Sequence, residues 1–384
     1  SNSFFCTSCL SLSFFDENIT NAIVYQTNLY SIQKGKVIAV TKDELCAFLG
    51  INVMMDYHRL PALRHYWAIS NDMGVRPIQE AMAHGRFLSI LSKLHLNANT
   101  KMDPNRKDKL YELTPLIESL NNKFRDIGSP GECVNVGESM IRFKGRCTFK
   151  QYNPIKPIKR EYKLWCIADN NGYIFNFAIY KGKGEDKDPI KRKETLQGIS
   201  VQARVTIRPT RMDFPPLEND NSLHSIQLSW IYNHNCEEDR KNGTKTVITC
   251  SQALKDYNEN MGGVDKHDML RQLYGANSKS KKWWHRIFLG LLGMSIVNAN
   301  VVYNETHSPL SLLEFRRELA QGLLAFATNH RSEGAPKRRK VDYSVPTSVR
   351  PTNTGIHWPK FIGKKGRYEI CTKKGGRITI NINL

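Results

Sequence analysis

The chain has 384 residues, 40% of them apolar and 10% aromatic, which is enough to bury one or two hydrophobic cores and excludes an intrinsically disordered protein. It carries 56 lysines and arginines against 36 acidic residues, so its net charge is +20. This surplus favours a polyanionic partner, first of all nucleic acid; a solvated basic surface and an anionic lipid surface are the alternatives. Half of the surplus lies in residues 331–384, which indicates a basic tail.

Targeting and redox signals are sparse. The longest apolar run, residues 287–302, is interrupted by glycine, serine and asparagine, so we predict no membrane span. The first ten residues, SNSFFCTSCL, lack a basic segment and an initiator methionine, and we interpret them as a fragmentary start and not as a signal peptide. Nine cysteines without regular spacing predict free thiols in a reducing compartment, and the isolated pair Cys6 and Cys9 is read as free thiols as well.

The first 128 residues are predicted to be mainly helical. A capping box of Thr41 and Glu44 marks the start of one helix, because each side chain can accept a hydrogen bond from the other residue's backbone N–H. Further helices are expected over residues 84–96 and 113–124. The second of these is expected to have Thr114 as its cap and a proline in its first turn.

The pattern changes to strands near Cys133. Residues 132–136 are predicted to form a first strand that ends before Gly137, and residues 162–168 and 173–180 flank an Asp-Asn-Asn-Gly turn that predicts a hairpin. Residues 143–160 lie between them, rich in cations, with two prolines and no acid. We interpret this segment, called the cationic loop below, as an exposed loop suited to phosphate contact; a solvated linker is the alternative.

Residues 182–246 are polar, with few runs that could make a buried strand. Order returns in residues 256–275, where a Gly-Gly turn precedes a helix, and in residues 281–305, a long apolar helix. Its aromatic start, with Trp283, Trp284 and Phe288, is predicted to pack in the core and not to stack on nucleic-acid bases.

Several collinear segments resemble the piggyBac transposase family: FFDENITNAIVYQTNLY, GESMIRFKGRCTFKQYNPIKPIKREYKLW, TIRPTRMDFPP, DYNENMGGVDKHDMLRQLYG and SKSKKWWHRIF. The resemblance implies an α/β fold with a ribonuclease H-like mixed sheet and flanking helices, incomplete here and preceded by a mainly helical region. It implies a DNA-binding and dimerisation region at 1–128 and a degenerate transposase domain with internal deletions at 129–310. The remainder, 311–384, would be a basic tail with an import signal and a truncated zinc-finger remnant.

Members of this family cut and rejoin DNA with three aspartates that hold two Mg²⁺ ions. By resemblance the first aspartate would stand at Gly137, which offers no ligand, and the neighbouring Glu138 would point to the opposite face of the strand. The second is missing because residues 180–206 are too short, and Asp186 and Asp188 lie there without a strand pattern.

Asp265 matches the third aspartate, and Asp268 matches its acidic partner. Without the resemblance, two acids near a helix start are ordinary complements of the helix dipole. As a remnant site they are expected to bind Mg²⁺ weakly, and no tightly bound cofactor is expected. Tyr368 stands where the family has a cysteine, and after Cys371 neither cysteine nor histidine follows, so we predict no zinc site.

The basic segment PKRRKV at residues 336–341 has the form of a nuclear import signal, with a solvated linker as the alternative. It predicts a nuclear protein that meets the import machinery, through Lys337, Arg338, Arg339 and Lys340. Candidate DNA contacts are Lys144, Arg146, Lys150, Lys156, Lys159, Arg160, Lys281 and Lys282. Three interpretations follow: a non-catalytic DNA-binding protein derived from a transposase, an active transposase represented by an incomplete gene model, or a decayed element without function.

Overall fold

The computed structural model describes residues 13–70, 72–98, 108–131, 133–152, 154, 159–182, 234–239, 245–250, 252–275 and 282–328. The chain divides into a compact unit, residues 1–330, and a second unit, residues 331–384. The basic tail, the import signal and the zinc-finger remnant therefore fall outside the described residues, apart from a helix that begins at Leu312.

The N-terminal region is helical, as predicted. It contains α1 (Glu17–Gln33), α2 (Lys42–Tyr57), a 3₁₀ helix (Leu63–Trp67), α3 (Arg76–Ala81), α4 (His84–Lys93) and α5 (Thr114–Ile127). The capping box is present, because Thr41 Oγ1 accepts from the N–H of Glu44 while the Glu44 carboxylate accepts from the N–H of Thr41. The predicted cap of α5 was wrong: Leu113 occupies the N-cap, and the Thr114 hydroxyl instead donates to Asp108 and to the Leu110 carbonyl.

The sheet follows α5 and contains β1 (Asn135–Arg142), β2 (Gln151–Tyr152), β3 (Arg160–Ala168) and β4 (Ile174–Ile179). β3 is central, with β1 antiparallel on one side and β4 and the short β2 antiparallel on the other. The predicted hairpin is confirmed, and Gly172 adopts a φ of 88°, the left-handed conformation that glycine permits in such a turn. The first strand begins later than predicted and runs past Gly137 to Arg142.

A second hairpin, β5 (His234–Asp239) and β6 (Lys245–Cys250), was not predicted from the polar sequence around it. It is followed by α6 (Gln252–Asn260), α7 (Gly263–Leu273), α8 (Trp283–Thr306) and α9 (Leu312–Thr328). α7 begins at the second glycine of the Gly-Gly pair, as predicted. Across the ranges given above, the four cysteines whose side chains are described, Cys46, Cys133, Cys147 and Cys166, are free thiols.

One face of the sheet packs on helices. Leu164, Cys166 and Ile174 are fully buried there, and Asn298 of α8 bonds both the N–H and the C=O of Ile174. α5 covers β4, because Asn121 bonds both backbone groups of Phe177. The helical region and the sheet therefore share one continuous hydrophobic core.

α8 is the central helix of that core. It is long and apolar enough to cross a membrane by length and composition, but 67% of its most apolar stretch is buried inside the protein. Trp284 and Phe288 are 3% and 1% exposed, so the prediction that these aromatic residues pack in the core is confirmed. The apolar length of α8 is accounted for by packing against the sheet.

α9 packs on α2, although the sequence placed residue 311 at the start of a tail. Gly50 permits this approach, because a Cβ atom there would lie 2.8 Å from the Leu323 Cβ. Arg316, fully buried, donates to the Asp56 carboxylate at 3.2 Å and joins the two helices. The first compact unit therefore extends through this helix.

Candidate functional site: the contact between α7 and β1

The region that should hold the catalytic carboxylates is the contact between α7 and β1. Gly263 lies so close to the hairpin turn that a side chain there would collide with the Asp169 carbonyl oxygen. Asn135 at the start of β1 accepts from the N–H of Val264 at 3.2 Å and donates to the Asn260 carbonyl. The first turn of α7 is therefore tied to the strand that carries Gly137.

Gly137 faces α7 directly. A Cβ atom at this position would lie 2.7 Å from the Val264 Cβ and 3.0 Å from both Val264 methyl carbons, well inside the usual carbon contact of about 3.5–4.0 Å. Val264 is 2% exposed, so it has little room to move away. The space that an aspartate side chain would need at residue 137 is filled by a valine.

Glu138 lies on the other face of the strand, as the alternation of side chains requires. Its carboxylate forms a salt bridge with Lys163 at 2.8 Å, and that lysine also lies over the Trp165 ring at 4.2 Å. Glu138 is thus engaged on the face opposite Gly137, in agreement with the prediction that it cannot replace the missing ligand.

Asp268 is bound to β1 through both carboxylate oxygens. Oδ1 accepts from the Ser139 hydroxyl at 2.6 Å and from Arg271 at 2.9 Å, and Oδ2 accepts from the N–H of Met140 at 3.1 Å. Arg271 also donates to the Met140 carbonyl at 2.6 Å. The Asp268 side chain, only 13% exposed, is therefore a structural link between helix and strand.

Asp265 lies beside Val264 on the exposed side of α7. The two predicted remnant ligands therefore differ in their surroundings: Asp268 is bound to β1, while Asp265 is exposed. In the part of the chain that the structure describes, no group of three or more histidine, cysteine, aspartate or glutamate side chains could hold a metal ion. These residues do not fit a site for two Mg²⁺ ions, which needs several convergent carboxylates.

His267 completes the contact of α7 with the sheet. Its Nδ1 lies 2.8 Å from the Gly172 carbonyl, and the side chain is fully buried. Burial lowers the pKa of His267 to about 4, against the effect of the Gly172 bond, so the ring is neutral at pH 7 and Nδ1–H donates.

The candidate DNA-contact residues are dispersed. Four of them, in the cationic loop and at the start of β3, are exposed: Lys144, Arg146, Lys159 and Arg160. Lys150 donates to the Gly145 carbonyl within the loop, and Arg160 lies 6.0 Å from the Tyr152 ring. Lys156, Lys281 and the import residues Lys337, Arg338, Arg339 and Lys340 lie outside the described residues, as do Asp186 and Asp188.

Lys282 is placed differently from the loop residues. It donates to the Leu94 carbonyl at 3.0 Å and lies 5.1 Å from the Tyr30 ring and 5.4 Å from the Trp284 ring. Burial lowers its pKa to about 8. This lysine joins α4 and α8 and does not project from the surface.

The sequence analysis missed Ser139, Arg271 and Val264, which decide the geometry of the contact. Only the Asp268 and Arg271 pair had a signal, because opposite charges three residues apart meet on a helix surface.

Comparison with known proteins assigns the chain to a family. The model of the family described as "Transposase IS4" matches residues 10–207 and 219–300, more than half of the chain. The chain belongs to this transposase family, in its piggyBac group. It is 28% identical to the human "PiggyBac transposable element-derived protein 3", with 86% of this chain and 67% of the relative covered. It is 25% identical to the human "PiggyBac transposable element-derived protein 2", with 93% of this chain and 71% of the relative covered.

A solved structure has a similar fold. The match is to the piggyBac transposase synaptic complex with hairpin DNA, with a TM-score of 0.71 and 18% identity, covering 88% of this chain and 84% of that one. The mixed α/β architecture, an antiparallel sheet with packed helices, is thus the fold of a piggyBac transposase.

Proposed function

We propose that this chain is a transposase-derived DNA-binding protein of the nucleus that no longer cuts and rejoins DNA. Its membership of the piggyBac group supplies the ancestry. Its structural neighbour is a transposase synaptic complex with hairpin DNA, which supports DNA as the partner. A homodimer and contact with the import machinery belong to the same proposal.

The main support for the loss of DNA cleavage and joining is that Gly137 packs against Val264 with no space for a side chain. A two-metal mechanism needs carboxylates that bridge and orient two ions on either side of the scissile phosphate. Here the first position has no oxygen, and both oxygens of Asp268 are used to hold α7 on β1. The remaining Asp265 cannot fix two ions by itself.

We further propose that the sheet is a ribonuclease H-like sheet that has lost its continuation after β4. Three antiparallel strands, β1, β3 and β4, support this assignment. The alignment with the first human relative runs over 402 positions but includes only 86% of the 384 residues of this chain, so the relative holds residues that this chain lacks. Internal deletions of that kind would remove the second aspartate.

DNA binding is proposed to depend on phosphate contacts from the cationic loop and the basic tail. Lys144, Arg146, Lys159 and Arg160 are exposed, and no acidic residue lies among them. Phosphate contacts orient a protein on DNA without reading its sequence, so the binding should be weakly specific and sensitive to salt.

A strand-cleavage assay tests the first part of the proposal. The purified chain, with a terminal-repeat duplex and Mg²⁺ or Mn²⁺, should neither nick nor join DNA. Metal-dependent cleavage that disappears in Asp265→Asn would overturn the proposal and would favour an active transposase.

A salt titration of DNA binding tests the second part. Replacing Lys156, Lys159 and Arg160 with alanine should weaken binding to two unrelated duplexes equally and flatten the slope of log K against log[salt] by about one unit per lost contact. Arg317→Ala, which removes an exposed arginine on α9, is the control and should leave the slope unchanged. No binding at low salt would favour a decayed element, and tight binding to one sequence with little salt dependence would contradict the proposed mode.

A further inference from the structure

A cleft beside the α7 contact lies between the helical region and the end of β1. Two adjoining cavities of about 710 and 190 Å³ share Asp56, Arg59, Arg142, Arg286 and Leu289 as lining residues. The larger volume lies within the range of about 300–1,000 Å³ that is typical of small-molecule sites.

Cations dominate the polar lining. Arg59, Arg142 and Arg286 border both cavities, Lys144 borders the larger one and Arg271 the smaller one. Asp56 is the one acidic residue among the lining side chains of the two cavities, and its Oδ2 accepts from Arg316 of α9. The cleft therefore holds more positive charge than its own carboxylate can balance.

Backbone contacts hold two of these arginines, Arg59 and Arg286, in place. Arg59 donates to the Asp56 and Leu273 carbonyls, and Arg286 donates to the Arg142 carbonyl, each at 3.2 Å. Burial lowers the pKa of Arg286, and Arg142 and Arg271 lower it further, while Asp56 opposes them. Because guanidinium groups stay protonated in proteins, an anion is the ligand that relieves this crowding.

The guanidinium of Arg271 belongs to the same group of cations. Arg271 is 7% exposed and lines the smaller cavity. Its Nη2 is used by Asp268 and Met140, while its Nε is buried and has no hydrogen-bond partner among the residues that the structure describes.

The larger cavity also has apolar lining residues, Leu60, Leu63, Phe87, Leu91 and Phe143. A ligand that meets both kinds of lining carries an anionic group and a flat apolar ring, which is the chemistry of a nucleotide.

We infer that this cleft binds a nucleotide, with its phosphate at Arg59, Arg142 and Arg286 and its base against the wall of Leu63 and Phe143. The nucleotide is either free or an unpaired residue of a nucleic-acid strand, because both present the same phosphate and base. The inference does not rest on duplex binding by the cationic loop, with which it shares only Lys144.

Isothermal titration with three probes tests the inference: AMP, a short oligothymidylate and inorganic phosphate. AMP or the oligonucleotide should bind more tightly than inorganic phosphate, which lacks the ring. Arg142→Ala should raise the Kd for the bound probe about tenfold, equivalent to about 1.4 kcal/mol. Arg125→Ala, which removes an exposed arginine of α5 outside the cleft, should leave it unchanged.

Arg142→Glu, also at an exposed position, serves as the second variant and should abolish binding while the circular dichroism spectrum stays that of the wild type. Binding of the oligonucleotide alone would identify a strand as the source, and binding of AMP alone a free nucleotide; either result supports the site. Failure of all three probes, inorganic phosphate binding as tightly as the nucleotides, or equal losses in Arg142→Ala and Arg125→Ala would overturn it. Duplex binding should persist in Arg142→Ala, so this inference and the proposed function can fail separately.

Discussion

The contact between Gly137 and Val264 gives the sharpest prediction. In Gly137→Ala the new Cβ would lie 2.7 Å from the Val264 Cβ, so α7 would have to move away from β1 by about 1 Å to reach an ordinary carbon contact. Such a shift lengthens the bonds of Asn135 and Asp268 that hold α7 on the strand. We expect a loss of about 1–3 kcal/mol in the free energy of unfolding, the usual cost of overpacking.

A double-mutant cycle isolates the contact. Val264→Gly removes the three side-chain carbons that the new methyl group meets, at its own cost of about 2–3 kcal/mol for lost burial and helix propensity. Gly137→Ala combined with Val264→Gly should be more stable than the sum of the single variants by about 1–3 kcal/mol. Gly137→Asp should be more destabilising than Gly137→Ala, because it adds a charge to the same closed space.

Urea unfolding followed by tryptophan fluorescence measures the stability of the wild type and the four variants, and an unchanged m-value checks that the compactness of the states is comparable. A neutral or stabilising Gly137→Ala, or additive effects in the double variant, would show that α7 accommodates a side chain at residue 137. The argument that the carboxylate site is closed would then fail.

Asp268→Ala should cost about 3–5 kcal/mol of stability, because it leaves the Arg271 charge buried without its partner, and combining it with Arg271→Leu should recover part of that loss in the same urea assay. Full stability in Asp268→Ala would contradict the structural role. In the folded protein the pKa of His267 is lowered from 6.5 to about 4, so the unfolded chain takes up the proton more readily. The stability that the neutral His267 ring contributes is therefore complete above pH 6.5 and is lost as the pH falls toward 4. Stability measured between those pH values should therefore fall by up to about 3 kcal/mol more in the wild type than in His267→Gln, and equal slopes would refute the assignment. Replacing the four residues of the predicted import signal with alanine should move a tagged protein from nucleus to cytoplasm; these residues are Lys337, Arg338, Arg339 and Lys340. An unchanged nuclear signal would show that this segment is not the import signal.

Local signals in the sequence predicted the local structure. The capping box of Thr41 and Glu44 and the hairpin turn with Gly172 each depend on residues a few positions apart, so their physics is contained in a short window. The predicted cap of α5 was wrong by one residue, because Leu113 and not Thr114 is the N-cap. The Thr114 hydroxyl instead donates to Asp108, a contact that the sequence pattern does not indicate.

Contacts between distant segments were beyond a single sequence. Gly137 packs against Val264, which lies 127 positions later in the chain, and nothing in the composition of either segment predicts this close contact. The resemblance supplied the expectation that residue 137 had lost a ligand, but not that the space had closed. The cleft arginines come from the segment that follows α2, from β1, from α7 and from α8, which only the folded chain brings together.

The bonds at Met140 have a consequence for solubility. Phe143 donates to β3, so Met140 and Arg142 direct their backbone groups to the other side of β1, where no strand pairs with it among the residues that the structure describes and a neighbouring chain could add one. Asp268 and Arg271 occupy both groups of Met140, and Arg286 occupies the carbonyl of Arg142. Charged side chains thus protect this side of β1 against intermolecular β-pairing and make the strand resistant to aggregation.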